Sequence, residues 1–148
     1  MTIHSILVPT DLRDHSASAL ALAKAIAKKE NARLHVVHAY APVVVPGPMG
    51  LGHIPYDDLR RSALQRLKTL ISSQDCDERT CTNVVAMGDP LSVILDAVSH
   101  LRPDLIVMCS ERRAKLRAVL QPSVAESVLQ NADVPVLILK TPGARRSS

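Results

Sequence analysis

The chain has 148 residues, 47% of them hydrophobic, and a formal net charge of +4, which suits one domain with one sizeable core. Two tyrosines with neither Phe nor Trp leave it without the stacking side chains of single-strand nucleic-acid platforms, and three cysteines without zinc-ligand spacing read as plain thiols, so neither a nucleic-acid partner nor a metal is expected. There is no long apolar run, and the start MTIHSILVPTD lacks the parts of a secretion signal, so a cytoplasmic protein with no membrane partner is expected.

In chain order, IHSILVP (3–9) is a short apolar, β-branched run of strand size. After it, Ala19, Leu22, Ala23 and Ile26 recur at i, i+3, i+4 and i+7, which predicts a helix with one core-facing stripe. RLHVVHA (33–39) is the second strand. The prolines and glycines of APVVVPGPMGLGHIP (41–55) predict a mobile loop without regular structure, either a surface crossover packed on the second strand or a lid. A helix over 56–73 follows.

CTNVVAM (81–87) is the third strand, and GDPLSVIL opens the next helix. There Asp89 can accept from free first-turn amides, and Pro90 occupies the position where a missing N–H costs nothing. Leu91, Ile94, Leu95 and Val98 form its apolar face. DLIVMC (104–109) and PVLILK (135–140) are the last two strands. Strands alternating with helices predict an α/β fold: a single domain with a five-stranded parallel open sheet and helices on both faces. In such sheets ligands sit outside the carboxyl ends of the strands, where the strand order reverses. That directs attention to Pro9, Thr10 and Asp11 and to residues 109–122.

The segments ILVPTD, LHVVHAY, GDPLSVIL, DLIVM and SVAESVLQNADVPVLIL, in this order and spacing, resemble the universal stress protein family over nearly the whole chain. The resemblance implies strand order 3-2-1-4-5, a family domain over 1–141 with a flexible tail at 142–148, and a homodimer paired through Val136, Leu137, Ile138 and Leu139 of the last strand. A bare apolar edge strand invites such pairing. It also implies a nucleotide crevice, if any, lined by Pro9, Thr10, Asp11, Val36, Met108, Cys109, Arg112, Ser123 and Val124.

Some members of that family bind ATP through a loop reading Gly, two residues, Gly, nine residues, Gly and then Ser or Thr. On this chain the pattern falls on Cys109, Arg112, Pro122 and Ser123, and only the final hydroxyl matches. A backbone phosphate cradle needs close main-chain approach and often positive φ, and Pro122 removes a donor outright. SVAE, from Ser123 to Glu126, also reads as a capping box. Asp11 reads equally as a turn former.

No cofactor is therefore expected, and the favoured function is a non-enzymatic stress or regulatory homodimer that presents a surface to a protein partner. The alternative is an ATP- or AMP-binding member that holds phosphate through the side chains of Arg112 and Arg113, with slow ATPase activity. An enzyme of the wider adenine-nucleotide α-hydrolase-like type is disfavoured because PTDLRDHS contains no glycine. The six histidines form no catalytic or metal-binding pattern, and His35 and His38, three apart on a strand, point to opposite faces. Cys109 reads as a small apolar residue or, beside the cations of 112–117, as a low-pKa redox sensor.

Overall fold

Ile6, Leu7 and Val8 have no exposed surface, because the strand that carries them, β1 (Ser5–Pro9), has helices on both faces. The computed structural model describes residues 1–110 and 123–140. After β1 come α1 (Ser16–Glu30), β2 (Arg33–Tyr40), β3 (Val44–Gly47), β4 (Gly50–His53), α2 (Tyr56–Ser73), β5 (Cys81–Met87), α3 (Pro90–Leu101), β6 (Leu105–Ser110), α4 (Val124–Asn131) and β7 (Val136–Lys140). The main sheet is parallel, in the order β5-β2-β1-β6-β7. With only its own five strands numbered, this is the predicted 3-2-1-4-5.

The period of two along the strands divides the core. Ile6, Val8, Leu34 and Val36 pack under α1 and α2 with Ala19, Leu20, Ala23, Leu67 and Ile71. Leu7, Val37 and Ile106 pack on the other face with Val93, Ile94, Ala97, Ala125 and Val128. Each fully buried Leu, Ile or Val contributes about 1.5–3 kcal/mol. The helix faces lie slightly off their predicted centres. In α1, Leu20 and Ala27 are interior while Leu22 and Ile26 are only partly buried; in α3, Val93 and Ala97 are interior while Leu91 and Val98 sit at the margin. In α1 the small alanines let the helix approach the sheet closely, so the larger Leu22 and Ile26 flank the line of contact.

Helix ends follow local chemistry. Asp89 accepts from Ser92 N at 3.1 Å with Pro90 opening α3, as predicted. Just before it, Gly88 has φ +150°, and an added Cβ would lie 3.3 Å from Val93 Cγ2, so this turn favours glycine.

The segment 41–55 corrects its prediction. Residues 44–53 form an antiparallel hairpin, with Val44 opposite His53 and Gly47 opposite Gly50, and residues 41–53 are all exposed rather than packed on β2. Pro46 is tolerated because a two-stranded ribbon has an open side where no N–H is required, and Gly50 takes φ +104° beside the turn. The tail 142–148 lies outside the described residues. Among those that are described, no helix is long and apolar enough to cross a membrane.

Candidate functional site

β1 and β6 are neighbours, yet the chain leaves β1 toward β2 on one side and β6 toward β7 on the other. This reversal puts the crevice at the carboxyl ends of β1 and β6. On the β1 side, Thr10 N donates to Val37 O at 2.9 Å and ties the loop to β2. Asp11 then turns back on its own loop: Oδ1 accepts from Arg13 N at 2.9 Å and from Ser16 Oγ at 2.7 Å, and Oδ2 lies 3.3 Å from His15 Nε2. Partial burial pushes the Asp11 carboxyl up, but hydrogen bonds from Ser16 and the Arg13 amide, with the charges of His15 and Arg13, outweigh it and lower the pKa below the usual value.

The same loop holds a strained residue. Leu12 has φ +64°, a region that branched side chains rarely occupy, and its amide donates to Thr10 Oγ1 at 3.0 Å. Such a conformation costs on the order of 1–3 kcal/mol and persists where the surroundings fix it. Here the fixing bonds come from Thr10, Asp11 and Ser16 themselves.

On the β6 side, Cys109 Sγ donates to the carbonyl of His15 at 3.1 Å, so the two walls of the crevice are joined. Burial pushes the Cys109 thiol up, hydrogen bonding to the Ala19 backbone opposes this, and the Asp11 carboxylate raises it further. Among the described residues these influences raise the pKa, opposite to the direction a redox sensor needs, while the cations of 112–117 on which that reading rests lie outside the described residues. Ser123 caps α4, its hydroxyl accepting from Glu126 N at 3.2 Å. This is the forward half of the predicted capping box.

The predicted lining divides sharply. Thr10, Asp11, Cys109, Ser123 and Val124 reach the surface, whereas Pro9, Val36 and Met108 are interior. Val36 is 0% exposed and packs beneath α1 and α2, and Met108 is buried toward α3 and α4. Their side chains point into the helix layers and offer no surface to a ligand. Arg112, with Arg113 and Pro122, lies outside the described residues. Val136, Leu137, Ile138 and Leu139 form β7, the last strand of the sheet, and Leu137 is 39% exposed.

Sequence reasoning missed His38. It is buried at the end of β2, with Nδ1 2.9 Å from the Thr10 carbonyl, and so braces the β1–α1 loop from across the sheet. The only sequence signal was a histidine among apolar strand residues. His35 faces the other way and meets Thr82 Oγ1. A groove of about 500 Å³ lies elsewhere, along α2, lined by Arg61, Leu64, Gln65, Lys68, Thr69 and Ser72. Its lining comes from one helix, so it lacks the converging walls of a small-molecule site.

Comparison with known proteins gives a consistent result. The model of the universal stress protein family matches residues 2–140. The chain is 31% identical over 142 residues to the protein described as "Universal stress protein in QAH/OAS sulfhydrylase 3'region" of Thermus aquaticus, covering 92% of this chain and 98% of the relative. Among solved structures, it resembles a universal stress protein in complex with cAMP, with TM-score 0.68 and 19% identity over 96% of this chain and all of the other. It also resembles the universal stress protein from Archaeoglobus fulgidus in complex with dAMP, with TM-score 0.60 and 20% identity over 93% and 98% of the two chains.

Proposed function

Because the chain belongs to the universal stress protein family, we propose that it acts as a non-enzymatic stress-response protein, a homodimer that works through its surface without ATP as its switch. The observation that carries this reading is the closure of the crevice on itself. Asp11 is engaged by Arg13, Ser16 and His15, and the Cys109 thiol bridges to His15. A ligand would have to displace bonds that also hold Leu12 in its strained conformation. Ser123, the one residue that matches the phosphate loop, is already capping α4.

The dimer reading rests on β7. It is an edge strand reading VLILK, with Leu137 exposed, and pairing with a second copy would satisfy its outer backbone groups and cover its apolar side chains. Light scattering of the wild-type protein should give twice the monomer mass, and Leu137→Asp should give the monomer mass. A monomeric wild type, or an unchanged dimer in the variant, would contradict this assignment.

A second reading, nucleotide binding, is favoured by one feature. Asp11 keeps an ionised, half-exposed carboxylate at the strand ends, a suitable acceptor for ribose hydroxyls, and two similar structures hold cAMP and dAMP. In that case phosphate would be held by the side chains of Arg112 and Arg113, with slow ATPase activity as its extreme form. Arg112→Ala combined with Arg113→Ala would then abolish nucleotide binding, and binding that survived both changes would exclude this mode.

A further inference from the structure

At the opposite end of the sheet sits a pair of thiols that the crevice does not use. Cys81 is the first residue of β5 and is 2% exposed; Cys76 lies in the turn after α2, half-buried against the same cluster. Both are free. The intervening chain folds back tightly. Cys76 N donates to Ile71 O at 3.3 Å, and the Asp77 carbonyl accepts from the amides of Thr80 and Cys81, both at 3.0 Å. The two side chains belong to one apolar cluster and each shifts the pKa of the other, while the Cys76 thiol faces the Gln74 carbonyl at 3.9 Å. Lys24 anchors the turn from α1: its Nζ donates to the carbonyls of Gln74 at 2.7 Å and Asp75 at 2.8 Å, which places an ammonium beside Cys76.

We infer that Cys76 and Cys81 form an oxidation site, in which a hydroperoxide oxidises Cys76 and Cys81 resolves it as an intramolecular disulfide tying the turn after α2 to the start of β5. Cys76 is the attacking sulfur because it is the more accessible of the two and has Lys24 at hand. Its thiolate attacks one peroxide oxygen, the O–O bond breaks, and the leaving oxygen takes a proton to give water (an alcohol for an organic hydroperoxide) and a Cys76 sulfenic acid. The Cys81 sulfur then attacks the sulfenic sulfur, the S–O bond breaks, and the departing hydroxide leaves as water with the Cys81 proton. Two thiols lose two electrons in all, and the peroxide gains them.

The environment sets the character of this site. Burial raises Cys76, partly offset by Lys24 and by the neighbouring Cys81, while burial and the Cys76 neighbour push Cys81 up to about 12. Thiolate is scarce at neutral pH, so oxidation is slow and quickens as pH rises. The dithiol likewise gains no stabilisation as a thiolate, which favours persistence of the disulfide once made. Cys109 differs: its Sγ donates to the His15 carbonyl at 3.1 Å, and no second thiol perturbs it among the described residues.

The test is peptide mapping of the reduced protein after treatment with hydrogen peroxide, with alkylation under denaturing conditions. Trypsin cuts after Arg79, between the two cysteines, so the disulfide joins peptide 69–79 to the peptide that begins at Thr80. The expected result is this joined pair, two hydrogens lighter than the free peptides and separated by dithiothreitol, formed faster at higher pH. Cys76→Ala should abolish it and leave Cys81 alkylatable; Cys109→Ala should leave it unchanged. Cys76 driven to sulfinic acid with Cys81 still a thiol, or linkage through Cys109, would overturn the inference. The peptide that begins at Thr80 runs to Arg112 and also carries Cys109, so a second cleavage before Asp89, Asp96 or Asp104 separates the two cysteines, and the wild-type map then decides the matter even if a variant folds poorly.

Discussion

The two ends of the sheet are tied by different chemistry. At the carboxyl ends of β1 and β6 the ties converge on one partly solvent-facing loop: Asp11 closes on Arg13, Ser16 and His15 within it, and Cys109 reaches it from β6. At the amino ends they join distant parts of the chain. The Asp104 carboxylate accepts from the amides of His4 at 2.8 Å and Ser5 at 3.0 Å, Lys24 holds the turn after α2, and Cys81 and Cys76 share one apolar cluster. The first end spends its polar groups on shaping one loop, and the second spends them on holding the fold together. Charge at the crevice is thus committed before any ligand arrives.

The largest expected effect is at the buried thiol. The folded pKa of Cys81, about 12, lies above its ordinary 9.0, so its contribution to stability is full below about pH 9 and is lost as pH rises toward 12, at up to about 1.4 kcal/mol per pH unit. Urea unfolding through this range should fall less steeply for Cys81→Ala than for wild type; parallel curves would remove the thiol from the account. Next, Asp104→Ala deletes two hydrogen bonds to a carboxylate and should cost about 2–3 kcal/mol in urea unfolding. A cost near zero would erase the contrast between the two ends.

Asp11→Ala is smaller, about 1–2 kcal/mol, because its bonds lie within one half-exposed loop. The folded pKa of Asp11 is depressed, so this contribution is present above the ordinary aspartate pKa and is lost as pH falls through the lowered value. The stability difference between wild type and variant should therefore close in acid, and a difference that persisted there would contradict the lowered pKa. Smallest is Ser123→Ala, about 1 kcal/mol for the lost helix cap. A value near zero by thermal unfolding would free Ser123 from its capping role.

The five parallel strands were legible because each is a β-branched run bounded by turn residues, and the α3 start was legible in the Asp89–Pro90 pair. The hairpin was not. Its Pro46 and glycines count against a strand locally, and only an open-sided ribbon makes them acceptable. The site was less legible than the fold. Val36 came to the crevice only through the family resemblance, but the side to which a strand residue points depends on register with its neighbours, and that register places its side chain inward. The His38 brace to Thr10 and the shared cluster of Cys76 and Cys81 depend on tertiary placement that spacing alone does not encode. Capping by Ser123 was readable because both partners fall within one turn.

The central claim is that the crevice is closed on itself and holds no ATP. Its most direct test is calorimetric titration of nucleotide-free protein with ATP, with and without magnesium, using AMP and adenosine as controls. The account predicts no saturable heat at millimolar ATP. Saturable micromolar binding that is lost in Asp11→Ala would contradict it.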